Sequence, residues 1–210
     1  MEWIELTKKG EGMASKLFAQ FYDRMIHRME RAYFSPVRKS LMPNIEGDLL
    51  EIGSGTGANI DYLPPKGRKV FLEYNPWMVR ESLKKSLKEL GDPVIGSGSE
   101  LPFRKGSFDT VLITLVLCSV GNLTKTVEEI DRVLKPGGKV LVLEHVVSEK
   151  RWMATIQKAI TPIWRHLADG CHLDRDIVGE LQTLLTLREQ HRFLIQNTPF
   201  IYGVYEKTES

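Results

Sequence analysis

Between residues 14 and 34, apolar side chains recur every three or four positions and mostly charged side chains fill the other side. This pattern predicts an amphipathic helix with a broad apolar stripe. After Pro43 the pattern changes to short apolar runs that alternate with helical stretches. Strands are predicted near residues 48–52, 69–74, 93–96, 108–114 and 139–145. Helices are predicted near residues 58–63, 77–90, 122–134, 152–168 and 174–187, with Pro136-Gly137-Gly138 as the stop signal after the third.

The alternation of strands and helices implies βαβ units and a parallel sheet that is covered on both faces. Two final apolar runs, residues 191–196 and 200–207, flank Asn197-Thr198-Pro199, which suits an antiparallel hairpin that joins the sheet. A chain of 210 residues fits one domain with a sizeable core. We therefore predict a single α/β domain.

Composition and charge mainly exclude classes of protein. The composition is that of an ordinary globular chain, and the longest apolar runs, such as 111–116, are too short to span a bilayer. Glu2 and Glu5 and the lack of an apolar segment argue against a secretory signal. Cys118 and Cys171 predict neither a disulfide framework nor a metal site, so we expect a reducing, cytoplasmic location. The net charge of +2 gives little reason to expect a nucleic-acid partner.

The most informative segment is an apolar strand that runs directly into glycines at three alternate positions, Gly53, Gly55 and Gly57. Glycines at a strand-to-helix turn let the backbone approach a ligand closely. A second apolar strand ends on Glu73, 20 residues after the first glycine, where a carboxylate can hydrogen-bond a ribose diol. Together these features predict a nucleotide-like cofactor.

The glycine turn alone does not decide which cofactor is bound, because Gly53-x-Gly55-x-x-Ala58 with Glu73 also fits the dinucleotide-binding template. Glu51 favours S-adenosylmethionine, since a carboxylate there suits an ammonium and a sulfonium and would repel a pyrophosphate. The chain also has a single glycine-rich turn and no separate substrate domain. A nicotinamide-dependent oxidoreductase and a non-catalytic cofactor-binding protein are the alternatives from other classes.

Several segments are similar to those of class I S-adenosylmethionine-dependent methyltransferases over about residues 45–150, namely LEIGSGTG at 50–57, LPF at 101–103 with GSFD at 106–109, and RVLKPGG at 132–138. A nearer resemblance is to the microsomal alkyl-thiol methyltransferases. It is carried by TLVLCSV at 114–120, LEHV at 143–146, ADGCHL at 168–173 and IYG at 201–203. Those proteins carry an apolar N-terminal anchor, which we do not expect here. Phe21-Tyr22-Asp23 also resembles quinone and phospholipid methyltransferases.

The resemblance implies a Rossmann-like three-layer sandwich. Its mostly parallel seven-stranded sheet would end in the antiparallel hairpin. The expected organisation is an N-terminal helical lid (1–45), a cofactor-binding core (46–150), a helical acceptor-side insertion (151–190) and the terminal hairpin (191–207). The cofactor would be S-adenosyl-L-methionine, and the product S-adenosyl-L-homocysteine.

The resemblance also implies roles for individual residues. The three glycines would shape the turn under the methionine moiety, with Glu51 near its ammonium and Glu73 on the ribose hydroxyls. Tyr74 and Met78 would flank the adenine, and Ser97-Gly98 stands where the family often has an acidic residue that binds the adenine amine. Thr114 and Leu115 would face the sulfonium. The full cofactor-binding set is Glu51, Gly53, Ser54, Gly55, Gly57, Asn59, Glu73, Tyr74, Met78, Ser97, Gly98, Thr114 and Leu115.

Methyl transfer from a sulfonium requires that the protein align the acceptor with the methyl group and exclude water. A thiol acceptor reacts as the thiolate, and its free pKa of about 8.5 means that a nearby base would help. His145, at the end of the fifth strand, and Asp169, after a helix, are expected to assist deprotonation or orientation, and Tyr22 to point toward the methyl group. The alternative is that His145 and Asp169 are structural. Cys118 and Cys171 are not expected to act as nucleophiles, because the cofactor reacts directly with its acceptor.

The expected acceptor is a small, rather apolar molecule, with a thiol first and a quinone or a phospholipid as the alternative. Residues 14–34 would either cover the site as a lid or lie on a membrane surface, with Arg24 and Arg28 toward anionic lipids. A set of apolar residues in the late helical stretch would line the acceptor pocket or belong to the ordinary core: Trp152, Met153, Ile156, Ile160, Ile163 and Trp164.

Overall fold

The computed structural model describes residues 13–85, 87–168 and 170–208. The strands are β1 Leu49–Ile52, β2 Lys69–Glu73, β3 Asp92–Ile95, β4 Phe108–Thr114, β5 Leu134–His145, β6 Leu185–Ile195 and β7 Thr198–Lys207. The helices are α1 Met13–Met29, α2 Ser35–Leu41, α3 Pro76–Leu83, α4 Leu87–Leu90, α5 Leu123–Val133, α6 Arg151–Leu167 and α7 Ile177–Leu181. A π-helical turn, Glu30–Phe34, joins α1 to α2.

The strands form one seven-stranded sheet in the order β3-β2-β1-β4-β5-β7-β6. The first five strands are mutually parallel, and β7 runs antiparallel to both β5 and β6. This arrangement confirms the predicted Rossmann-like sheet with its terminal hairpin. The strand order reverses between β1 and β4, and ligands of open α/β sheets bind outside the carboxyl ends of the strands at such a point.

Apolar residues of the central strands are buried on both faces of the sheet, which is why these strands are almost continuously apolar in sequence. Leu50, Ile113 and Val142 belong to the core on one face. Their neighbours in the chain, such as Leu112 and Leu141, belong to the core on the other face. Two cores separated by the sheet make the three layers.

The structure corrects several predicted helix boundaries. The helix predicted at 58–63 is a single 3₁₀ turn, Ile60–Tyr62, and the one predicted at 77–90 is two short helices. The helix predicted at 174–187 is the five-residue α7, whose start is capped by the Asp176 carboxylate as it accepts the Gly179 N–H. Residues 185–187, the end of that predicted helix, instead belong to β6, where they pair with β7.

Two strand features also differ from prediction. β5 begins at Leu134, so it runs through Pro136-Gly137-Gly138 instead of starting after that segment. The hairpin turns at Gln196 and Asn197, whose φ angles are 48° and 69°. Two central residues with positive φ are the mark of a tight type I′ hairpin turn, which matches the twist of the flanking strands.

Helix α1 packs on α3, beside the carboxyl ends of β1 and β2. The Asp23 carboxylate accepts the Thr56 hydroxyl of the glycine turn and pairs with Lys85. The Lys16 ammonium lies 4.9 Å from the centre of the Trp77 ring. These contacts fix α1 over the glycine turn. Among the described residues, no helix has the length and apolar character needed to cross a bilayer.

Candidate functional site

A cavity of about 780 Å³ opens at the carboxyl ends of the central strands, under α1. Its size is typical of small-molecule and cofactor sites. Eleven of the predicted site residues lie on its wall: Tyr22, Gly53, Gly55, Glu73, Tyr74, Met78, Ser97, Gly98, Thr114, Leu115 and His145. The structure therefore brings most of the predicted site together.

The backbone of the glycine turn forms part of the cavity wall. Gly53 and Gly55 have φ angles of 69° and 54°, a region that favours glycine. A Cβ atom on Gly53 would collide with the side chain of Val116, whereas one on Gly55 would meet only the Gly53 carbonyl oxygen, at 3.9 Å. The first glycine is thus required by packing, and the second leaves the backbone open to a ligand.

Glu73 holds the glycine turn from the end of β2. Its Oε2 accepts the Gly55 N–H at 2.8 Å, and its Oε1 accepts the Asn75 N–H at 2.8 Å. A carboxylate oxygen has a second lone pair, so the carboxylate can accept further hydrogen bonds from a diol in the cavity. This geometry suits the ribose of a nucleoside.

A buried polar network supports the turn from behind. Glu51, 2% exposed, accepts the Asn59 Nδ2 amide at 2.8 Å, and the same amide donates to Thr114 Oγ1 at 3.0 Å. The Arg38 guanidinium donates to Asn59 Oδ1, to Thr114 Oγ1 at 3.1 Å and to the Glu30 carboxylate at 2.9 Å. Burial raises the pKa of Glu51 to about 7, although Asn59 and Arg38 oppose the rise.

Arg38 had no predicted role, although it is buried at the centre of this network. A signal was present in the sequence, because helical spacing places Arg38 on the apolar face that carries Phe34 and Leu41. An arginine on an apolar helix face requires buried partners. Two of its partners, Asn59 and Thr114, lie 21 and 76 residues away in the chain, beyond the reach of local patterns.

Four predicted cofactor residues, Glu51, Ser54, Gly57 and Asn59, do not line the cavity. Ser54 is buried, and its Oγ has no hydrogen-bond partner among the described residues. A Cβ on Gly57 would collide with Ile60, so this glycine is needed for packing inside the turn. These residues shape the wall instead of forming its surface, because they lie on the far side of the glycine backbone.

The opposite end of the cavity contains a cluster of Cys118, His145 and Cys171. His145 is 7% exposed, and its Nε2 lies 3.0 Å from Cys171 Sγ. The two sulfurs and a ring nitrogen all lie within 4.8 Å of one another. The His145 Nδ1 has no partner in the part of the chain that the structure describes.

The charges within this cluster depend on one another. Hydrogen bonds from Cys118 and His145 lower the pKa of Cys171 to about 4, against the effect of burial. The bond to Cys171, together with burial, raises the pKa of Cys118. Burial lowers the pKa of His145, but the bond to Cys171 outweighs it and leaves this pKa above its usual value. These contacts therefore favour the thiolate form of Cys171 over that of Cys118.

The loop that carries Cys118 is held by a fully buried carboxylate. Glu144 Oε1 accepts the Leu117 N–H at 2.8 Å and the N–H of the preceding residue at 2.6 Å. Arg175 donates to the Leu117 carbonyl at 2.7 Å, and the His172 N–H donates to the Cys118 carbonyl at 2.9 Å. Burial raises the pKa of Glu144 to about 7. The loop that carries Cys118 is thereby joined to the segment that follows Cys171.

The remaining predicted residues fall in different places. Burial raises the pKa of Tyr22 above its usual value, so this phenol at the cavity wall stays protonated and can donate a hydrogen bond but cannot serve as a base. Asp169 lies outside the described residues. Of the six apolar residues expected to line the acceptor pocket, only Trp164 lies on the cavity wall. Trp152, Ile156, Ile160 and Ile163 are exposed on α6, so the expectation that they line the pocket or belong to the core is wrong.

Comparison with known proteins gives the following matches. A family model described as a methyltransferase domain matches residues 50–142. The chain is 32% identical over 180 residues to a thiol S-methyltransferase of Homo sapiens, covering 83% of this chain and 74% of that protein. A thiol S-methyltransferase of Rattus norvegicus is 34% identical over 177 residues, covering 81% and 72%.

Two other matches extend over more of the chain at lower identity. A ubiquinone/menaquinone biosynthesis C-methyltransferase of Rickettsia peacockii is 28% identical over 222 residues, covering 94% of this chain and 88% of that protein. The crystal structure of an S-adenosylmethionine-dependent methyltransferase of Thermotoga maritima matches with a TM-score of 0.66 at 19% identity, covering 94% of this chain and 98% of that one. At that identity the likeness shows the shared fold alone.

Proposed function

Because this chain belongs to the thiol S-methyltransferase family, we propose that it transfers a methyl group to the sulfur of a small, rather apolar thiol. The chain is an S-adenosylmethionine-dependent methyltransferase, and its acceptor is a small molecule. The observation that carries the proposal is the continuity of the cavity. One end is the glycine turn with Glu73, and the other end is an apolar recess with a polar group of Cys118, His145 and Cys171.

The open backbone at Gly55 and the Glu73 carboxylate support the proposed position of S-adenosylmethionine. The methionine moiety would lie over the glycine turn, and the ribose hydroxyls would bond to Glu73. Tyr74 and Met78 would flank the adenine, while Ser97 and Gly98 would approach its amine. All of these residues line the cavity near the ends of β1, β2 and β3.

When bound, S-adenosylmethionine supplies a methyl group that its sulfonium has already activated. The protein then has to exclude water and to place the acceptor sulfur in line with that methyl group. Leu115, Trp164 and Phe200 give the acceptor end apolar walls. We assign to His145 the role of assisting proton loss from the acceptor, with Tyr22 as a hydrogen-bond donor toward it and Asp169 as a further candidate.

A panel of acceptors tests this proposal against its rival, a quinone C-methyltransferase or phospholipid N-methyltransferase. The purified chain would be incubated with S-adenosylmethionine and an alkyl thiol, a quinone or phosphatidylethanolamine, and formation of S-adenosylhomocysteine would be measured. We expect turnover with the thiol. Turnover with the quinone or the phospholipid alone would overturn the thiol proposal while leaving the methyltransferase assignment intact.

We further propose that α1 covers the cavity as a lid within a cytoplasmic protein and that its outer face touches a membrane surface. Phe18, Tyr22 and Ile26 line the cavity, which supports the lid. Phe21 and Leu17 are exposed, as are several apolar residues of α6, which supports peripheral contact. In a co-sedimentation experiment, the chain should be found in the pellet with vesicles that contain anionic lipid. Absence of binding with both anionic and neutral vesicles would overturn the membrane contact.

A further inference from the structure

We propose that Cys118, His145 and Cys171 bind a Zn²⁺ ion at the acceptor end of the cavity, and that the acceptor sulfur occupies its fourth coordination position. The proposed binding of zinc is inferred from the arrangement of these three side chains alone. Its catalytic role rests on the proposed thiol methyltransferase function, and it specifies how His145 assists proton loss: the residue holds a metal ion instead of accepting the proton itself.

The three side chains come from separate segments that converge. Cys118 follows β4, His145 ends β5, and Cys171 follows α6. Their ligand atoms lie within 4.8 Å of one another, with His145 Nε2 and Cys171 Sγ 3.0 Å apart. Zn–S bonds of about 2.3 Å and Zn–N bonds of about 2.0 Å in a tetrahedral site put neighbouring ligand atoms about 3.6–3.8 Å apart. Shifts of about 1 Å would therefore bring the cluster to that geometry.

The donor set has the chemistry that zinc prefers. Thiolates and imidazole bind zinc, and catalytic zinc sites use three protein ligands and keep a fourth position open. All three residues line the cavity, so the open position would face the space where the acceptor is expected. Apolar packing explains why a free cysteine is buried, but it does not explain two thiols beside an imidazole nitrogen at a cavity wall.

The backbone fixes the two cysteines before any ligand arrives. The His172 N–H donates to the Cys118 carbonyl at 2.9 Å, which ties the chain next to Cys171 directly to Cys118. Glu144 anchors the loop that ends at Cys118 through two N–H bonds. The sequence predicted no metal site because two distant cysteines show no zinc-binding spacing, and His145 belongs to a third segment.

The chemistry of the proposed step balances without an oxidant or a reductant. The acceptor thiol coordinates zinc as a thiolate and releases its proton to solvent. A lone pair of that sulfur forms the new bond to the methyl carbon, while the sulfonium–methyl bond breaks and its electron pair stays on the sulfur of S-adenosylhomocysteine. The product is a neutral thioether, a weaker ligand than a thiolate, so it leaves and the fourth position reopens.

Metal analysis and cobalt substitution of the full, untagged chain test the site. We expect one zinc ion per chain and, after exchange for Co²⁺, charge-transfer bands from thiolate to metal. The chain has two cysteines, so these bands can come only from Cys118 and Cys171. An added alkyl thiol should strengthen them, because it supplies a third thiolate. Cys118→Ser and Cys171→Ser should each weaken zinc binding at least about tenfold, whereas His191→Gln, an exposed histidine on β6, should not.

The outcomes separate the metal site from the function. Binding of S-adenosylhomocysteine, measured by calorimetry at the other end of the cavity, reports whether each variant is folded. Folded serine variants that bind zinc as tightly as the unmodified chain, or a chain without cobalt charge-transfer bands, would overturn the site. A metal-free chain that methylates thiols at the full rate would overturn its catalytic role. Stoichiometric zinc without thiol turnover would instead contradict the proposed function and leave the site standing.

Discussion

The cofactor end of the cavity is built from the carboxyl ends of β1, β2 and β3, whereas the acceptor end combines the end of β5 and the start of β7 with helix faces and loops. At the cofactor end the wall is largely backbone, and the Glu73 carboxylate is held by two N–H groups. At the acceptor end the wall consists of side chains from α1, from α6 and the region after it, and from the loop after β4, together with His145 of β5 and Phe200 of β7. A substitution at the cofactor end changes the backbone of the glycine turn. Many side chains at the acceptor end, in contrast, can be replaced without a change in the sheet.

The two ends also differ in how much their residues contribute to the stability of the fold. Central strand residues such as Ile113 are fully buried, but the apolar residues of α1 and α6 are largely exposed. Substitutions at the cofactor end should therefore affect stability and cofactor binding together. Substitutions on the outer helix faces should affect neither.

The largest effect is expected for Arg38→Ala, because it removes the buried cation that joins the π-helical turn to the network behind the cofactor end. Breaking a buried ion pair from one side costs about 3–5 kcal/mol. Urea unfolding of the variant should show a loss of that order. Lys39→Ala, its exposed neighbour, should change stability by about 0.5 kcal/mol or less. Equal losses would show that the network does not stabilise the fold.

Gly53→Ala should weaken binding of S-adenosylhomocysteine about 100-fold, which corresponds to about 2.7 kcal/mol. The new Cβ collides with Val116 and distorts the turn that faces the cofactor. Gly106→Ala is the matched control, because Gly106 also has a positive φ of 64° but has open space around the added atom. Calorimetric titration compares the two. A similar loss in the control would mean that the collision at Gly53 is not what matters.

The pH dependence of cofactor binding should show the role of Glu51. Burial raises its pKa to about 7, so below that pH the carboxyl group is protonated and no longer places a negative charge behind the turn, where it would attract the ligand ammonium. Affinity for S-adenosylhomocysteine should fall about tenfold between pH 8 and pH 6. Glu51→Gln should remove most of this slope. An unchanged slope in the variant would assign the titration to another group.

The smallest effect is expected on the outer face of α6. Ile163 is 68% exposed, so Ile163→Ser should change the free energy of unfolding by about 0.5 kcal/mol or less. Ile113→Val, which removes one methyl group from the fully buried core, should cost about 1 kcal/mol. Thermal unfolding distinguishes them. A larger loss for the serine variant would show that the α6 face is covered by another surface in solution.

The two ends also differ in how well the sequence predicts them. Local patterns identify the cofactor end, because its strand, glycines and Glu73 lie within 25 residues and follow a periodicity set by the sheet. The acceptor end depends on residues 118, 145 and 171, whose proximity follows from topology alone. The role of Arg38 and the start of β6 are not predicted from the sequence for related reasons. A buried arginine takes partners from distant segments, and pairing with β7 places residues 185–187, predicted as the end of a helix, in a strand.

The position of β7 between β5 and β6 has a consequence for how the enzyme is made. β7 places Phe200 directly opposite His145 in register, with the two rings 6.0 Å apart at the cavity wall. Residue 200 leaves the ribosome long after the glycine turn and Glu73. A nascent chain can thus gather the elements of its cofactor end while the acceptor end lacks a wall. The pocket that selects the acceptor is completed only after β7 has been synthesised.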